Sequence, residues 1–163
     1  MKTPHFLRHS LAFGEITVAL GVLQMQVIGV VTAASFESLC KDYAAFFWHH
    51  QAAVQSIVVR AERAAWAITI DELNSIVKKI LTPTGRPSAI VSAPETLGLF
   101  QAHAWAMAQI GMLIGTFTCD VLAYGWLARQ APLLEHARFR PALNQPVLTG
   151  PVLARSRKIR ATA

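Results

Sequence analysis

Between Ile57 and Arg129 the chain changes its hydrophobic period several times. Short, largely apolar runs (SIVVRA, SAIVSA and MLIGTFT) alternate with longer stretches whose apolar residues recur every three or four positions. Short apolar runs suit strands covered by helices on both faces, whereas the longer spacing lays one apolar stripe along a helix. The alternation therefore predicts an α/β layer structure.

Local signals place the elements. Glu15–Leu20 and Val22–Thr32 read as a hairpin turning at Gly21, because Leu23, Met25 and Val27 alternate with Gln24 and Gln26. Ser35 is the expected N-cap of a first helix reaching His50, with Phe36, Leu39, Cys40, Tyr43 and Phe47 on one face. A strand over Val54–Arg60 follows. Thr69 and Glu72 have the spacing of a capping box and open a second helix, whose stripe is Ile70, Leu73, Ile76, Val77 and Ile80. Pro83, Gly85 and Pro87 end it and lead to a strand over Ala89–Ser92. Pro94 opens a third helix that stops at Gly111, and Met112–Thr118 forms the last strand. A fourth helix, capped by Thr118 or Asp120, is expected to end before Pro132. The order is β-β-α-β-α-β-α-β-α, a mixed sheet of about five strands with four helices. Right-handed crossovers make the later strands parallel, with the first hairpin strand antiparallel near one edge.

Composition adds a rival. The 163 residues suffice for one domain, but 53% are hydrophobic and the mean hydropathy is +0.39. The alternative is a small membrane-associated protein anchored through residues 16–34. Gln24 and Gln26 interrupt that window, and Glu15 adjoins it. A second window, Ala104–Ala128, contains Asp120, which would cost ~2.5–3.5 kcal/mol at the bilayer centre. No transmembrane span is favoured.

The net charge of +6 is concentrated at one end. Residues 131–163 hold six Lys or Arg against one acid, and residues 1–130 hold nine against eight. Specific nucleic-acid binding is not expected from a body so nearly neutral. The expected organisation is a flexible lead-in over 1–13, an α/β domain over 14–131, and a basic, proline-containing flexible tail over 132–163.

No catalytic constellation emerges. The chain lacks a Gly-x-Ser-x-Gly elbow, a Gly-x-Gly-x-x-Gly turn and a P-loop. His49 and His50 are neighbours, so on a helix they point about 100° apart and cannot share one metal. His103 has no ligand-type residue one turn away and is expected at the surface or its boundary. Cys40 and Cys119 have no metal spacing and read as two buried, reduced thiols. Arg60, Arg63 and Glu95 are not expected to converge. The prediction is a non-enzyme with no catalytic residue, metal or cofactor.

The end of the body carries a resemblance: the strand IGTFT, then Asp120, Ala123 and the pair Trp126-Leu127. With the order of elements, this resembles STAS and STAS-like domains, the fold of anti-sigma-factor antagonists and of the cytoplasmic tails of sulfate transporters, over about Ile16 to Gln130. The resemblance implies a cytoplasmic, non-enzymatic regulatory or binding module that acts through protein partners or a small apolar ligand. It also implies a partner-binding loop at Arg60, Glu62, Arg63, Trp66 and Thr69. In antagonist-type members an Asp-Ser pair opens the second helix and the serine is phosphorylated. This chain has Ile68-Thr69 there, and capping alone accounts for the threonine.

Overall fold

The structure is a computed structural model and describes residues 7–138. Six strands form one sheet in spatial order β1 (Leu7–Leu11), β2 (Gly14–Ala19), β3 (Val22–Thr32), β4 (Ser56–Ala67), β5 (Ser88–Val91) and β6 (Ile114–Phe117). β2 runs antiparallel to both of its neighbours, β1 and β3, and β3 to β6 are parallel. Four helices accompany them: α1 (Ala33–His50), α2 (Ile70–Ile80), α3 (Leu97–Ala108) and α4 (Asp120–Arg138).

This order fixes where the helices go. Parallel strands laid down in sequence, each joined by a right-handed crossover, send every crossover helix to the same face. α1, α2 and α3 are those crossovers. α4 follows the last strand and folds back over the opposite face, where Ala123 and Leu127 pack on Val58, Ala89 and Val91. The larger core lies under the three crossover helices and includes Ile16, Leu23, Val27, Leu39, Ile57, Leu73, Ile90 and Met107.

The hairpin turns through Leu20 and Gly21, both at positive φ (52° and 80°). That pair of left-handed residues matches the right-handed twist of the flanking strands. Capping also decides helix starts. Thr69 Oγ1 accepts the Glu72 amide at 3.3 Å, and the Glu72 carboxylate accepts the Thr69 amide at 2.9 Å, which closes the predicted box. At α1 the cap is Thr32 rather than Ser35. Ser35 is the third helical residue, and its Oγ accepts the Thr32 amide at 2.8 Å.

Several expectations need correction. The sheet has six strands, not five, because Leu7–Leu11 adds an edge strand inside the expected lead-in. Leu7 and Leu11 pack against the main core, and the His9 ring stacks on Phe46 with centroids 5.8 Å apart. β4 runs to Ala67 instead of stopping at Arg60. A bulge after Arg60 opposes three residues of β4 to two of β3: Gln26 pairs with Arg60, Ile28 with Arg63. Beyond it Ala64 and Trp66 again face the core. α3 begins with a tight turn over Pro94–Thr96. α4 passes Pro132, which removes one helical hydrogen bond without preventing neighbouring turns from continuing. Residues 1–6 of the expected lead-in and 139–163 of the expected basic tail lie outside the described residues.

The anchor window is also accounted for. Residues 16–32 lie in β2, its turn and β3, and Ile16, Val18, Leu23, Met25, Val27 and Val31 spend their apolar surface inside the protein. Among the described residues no helix is long and apolar enough to cross a membrane.

Candidate functional site

The crossover-helix face does not pack solid. Between the sheet and α1, α2 and α3 lies a cavity of ≈ 90 Å³, with walls that include Phe36, Val59, Trp66, Val77, Phe100 and Ile114. Each helix contributes apolar residues at its predicted spacing, so the walls are a direct product of the stripes. The void arises where aromatic rings meet at angles. Trp66 stands edge-on to Phe100 at 4.9 Å and to Phe36 at 5.8 Å, the edge-to-face arrangement that aromatic pairs favour. The Trp66 Nε1–H donates to the Ala61 carbonyl at 3.3 Å, which holds the ring in the wall.

Polar atoms in this wall are few. His103 is 5% exposed, and its Nδ1 lies 2.7 Å from Asn74 Oδ1. An amide oxygen only accepts, so Nδ1 carries the proton and Nε2 is left as an acceptor. Burial pushes the His103 pKa down to about 4, which keeps the ring neutral. The surface or boundary position expected for His103 is therefore wrong: the helix turns it inward between Phe100 and Met107. Burial pushes the Cys40 thiol up to about 12, with a smaller contribution from Glu37, so it is an inert wall residue; Cys119, expected to be buried as well, is exposed just before α4. Burial likewise raises the Tyr43 pKa.

A smaller cleft of ≈ 30 Å³ adjoins the cavity, and the two share Tyr43, Ile57, Leu81, Ser88 and Met112. Its outer wall is the end of α1 and the segment from α2 to β5, including Trp48, Thr84, Gly85 and Arg86. Gly85 sits at φ +67° and Thr84 Oγ1 accepts the Arg86 amide at 3.2 Å, so a tight turn presents Arg86 there. Trp48, 52% exposed, stands at this mouth.

The opposite face has a different character. Arg60 Nη2 reaches Glu62 Oε1 at 2.9 Å and Asp120 Oδ2 at 3.0 Å, tying β4 to the first turn of α4. Tyr124 donates to Gln24 Oε1 at 3.3 Å and joins α4 to β3. Packing beside it is tight. A Cβ on Gly115 would come within 2.8 Å of the Phe117 ring and 3.1 Å of Trp126. The Trp126-Leu127 pair of the resemblance thus packs against the sheet.

The residues expected to form a partner-binding loop are distributed differently. Arg60, Glu62, Arg63 and Trp66 lie in β4, not a loop, because the bulge lets the strand continue. Arg60 pairs with Glu62 within β4 and with Asp120 of α4, Trp66 faces the cavity, Thr69 caps α2, and Arg63 is exposed. No ion pair among the described residues joins Arg60, Arg63 and Glu95. Among the described residues no group of three His, Cys, Asp or Glu is placed to hold a metal ion. The cavity was missed by sequence because every wall residue also has an ordinary core role.

No protein-family model matches the chain, and no curated protein matches it. Two solved structures are similar to it. One is a protein of the DUF3478 family with a SpoIIAA-like fold from Shewanella loihica PV-4, at 10% identity over 76% of this chain and 92% of that one, with a TM-score of 0.43. The other is the anti-sigma factor antagonist SpoIIAA in its unphosphorylated form, at 12% identity over 77% of this chain and 96% of that one, with a TM-score of 0.40. Both TM-scores are below one half, and neither likeness carries weight in assigning a function.

Proposed function

We propose that this chain is a non-enzymatic, cytoplasmic binding module that takes a small apolar ligand in the cavity under α1, α2 and α3 and acts through a protein partner. The observation that supports this most is the cavity itself. Folding normally closes apolar voids, since each leaves wall atoms without contacts and costs stability in proportion to its volume. At ≈ 90 Å³ the cavity is smaller than the ~150 Å³ apolar cavity that takes up benzene, and it adjoins the cleft, so it suits an occupant of single-ring size or less. A ligand there would touch three helices and four parallel strands, and so could bias their packing.

The partner contact in this proposal is the outer face of the β3–β4 extension beyond the bulge. Ile28 and Val30 are 46% and 60% exposed there, and Arg63 is the cross-strand neighbour of Ile28. An exposed Cys119 thiol suits a reducing compartment.

The ligand claim is tested by melting the protein in rising concentrations of toluene. The wild type should show a saturable rise in Tm, about 2.7 kcal/mol of added stability at a hundredfold excess over Kd. Val77→Phe, which fills the cavity, should abolish the rise while still melting cooperatively; the milder Val77→Leu should weaken it. An undiminished rise in Val77→Phe would place the ligand elsewhere.

A further inference from the structure

The outer cleft holds a half-buried cation, one of whose guanidinium donors is unpaired. Arg86 lines the cleft, yet its Nε is shut off from solvent and has no hydrogen-bond partner among the described residues. No ion pair among the described residues involves Arg86 either. A guanidinium is permanently charged, and a buried donor without an acceptor is a standing cost that an incoming anion would remove. The local backbone holds it there: the Arg86 amide is satisfied by Thr84 Oγ1, and Pro87 behind it is fully buried. The five residues shared between cleft and cavity place this cation directly outside an apolar chamber. The chamber itself offers no charged group: His103 has its Nδ1 occupied by Asn74, and the other polar wall atoms are the neutral hydroxyls of Tyr43 and Ser88 and the Cys40 thiol. An anion is therefore unwelcome inside and welcome at the mouth.

We propose that the ligand is a small monocarboxylic amphiphile, with a single ring or short chain seated in the cavity and its carboxylate paired with Arg86. This specifies the ligand class of the site proposed above and rests on that proposal. The fork of a guanidinium matches the two oxygens of a carboxylate, which a neutral alcohol of the same shape cannot reproduce. Ligands with two charges, or with a charge at each end, are excluded because the inner wall holds only neutral groups and no opposite charge to pair with the second.

The test compares phenylacetate with phenylethanol, an uncharged analogue of nearly the same shape, by titration calorimetry at neutral pH. The wild type should bind the acid at least roughly tenfold more tightly than the alcohol. Arg86→Gln should remove that preference and leave the affinity for the alcohol nearly unchanged. Equal binding of acid and alcohol by the wild type would overturn the carboxylate assignment and leave the apolar site standing. A preference that survives in Arg86→Gln would also overturn it. Binding of neither compound, together with no effect of toluene on melting, would overturn both proposals.

Discussion

The two faces of this sheet are built to opposite standards. The face under α1, α2 and α3 buries most of the core and still contains a cavity, with one neutral histidine in its wall. Among the described residues the face under α4 buries Val58, Ala89, Val91, Ala123 and Leu127, yet it leaves no room for a methyl group at Gly115 and is latched by Arg60 to Asp120. Topology explains the division of labour. Three crossover helices must share one face and meet one another as well as the sheet, so their junctions are where packing is hardest to complete. A single returning helix has only the sheet to fit. Looseness on the first face is thus compatible with binding, and tightness on the second with holding the strands in place while the first responds.

The comparison breaks most visibly in the large core. Leu73→Ala, at a fully buried wall position, should cost about 2–5 kcal/mol, and part of that loss should return on adding toluene. Denaturant melts with and without toluene measure both. Failure of toluene to restore any stability would mean that the enlarged void is not accessible to ligand.

A somewhat smaller effect concerns pH. The folded pKa of His103 lies below its unfolded value, so between about pH 6.5 and pH 4 the unfolded chain binds a proton that the native protein does not. Stability should therefore rise with pH across that window, by up to roughly 3 kcal/mol, and level off above it. His103→Leu should flatten this slope. The opposite sign would show that the ring is charged in the folded protein.

On the tight face, Gly115→Ala should cost about 1–3 kcal/mol by overpacking against Phe117 and Trp126, with no recovery on adding toluene. The smallest effect is expected from Arg60→Met. Its ion pairs are partly exposed, so the loss should be about 1 kcal/mol or less and should shrink as salt is added. Partner capture is a separate matter, tested by Arg63→Glu with Ile28→Ser, which should leave melting nearly unchanged and abolish binding of a partner isolated with the wild type.

Much of this architecture was legible in the sequence. The Thr69–Glu72 box, the stripe through Leu73 and Val77 and the stop at Gly111 are local signals, and local physics delivered them. The hairpin at Gly21 was equally plain. The continuation of β4 was hidden because the bulge after Arg60 shifts the period of two by one residue, so Ala64 and Trp66 seem out of phase with Ile57 and Val59. β1 was hidden because only Leu7 and Leu11 are aliphatic among its inward positions. His103 was misplaced because a histidine flanked by Ala102 and Ala104 gives no sign of its partner, and Asn74 is on another helix. The site itself was least legible. A cavity is what remains when side chains from separate elements fail to interlock, and no single stretch of sequence encodes that remainder.

The most direct test of the central claim is to map toluene binding by methyl NMR on the full chain. Shifts should be confined to the methyls of Ile57, Leu73, Val77 and Ile90 and their neighbours on the crossover-helix face. Ala123 and Leu127, beneath α4, should stay in place. Shifts of equal size on both faces, or none on the first, would contradict a binding site built into the loosely packed side of this sheet.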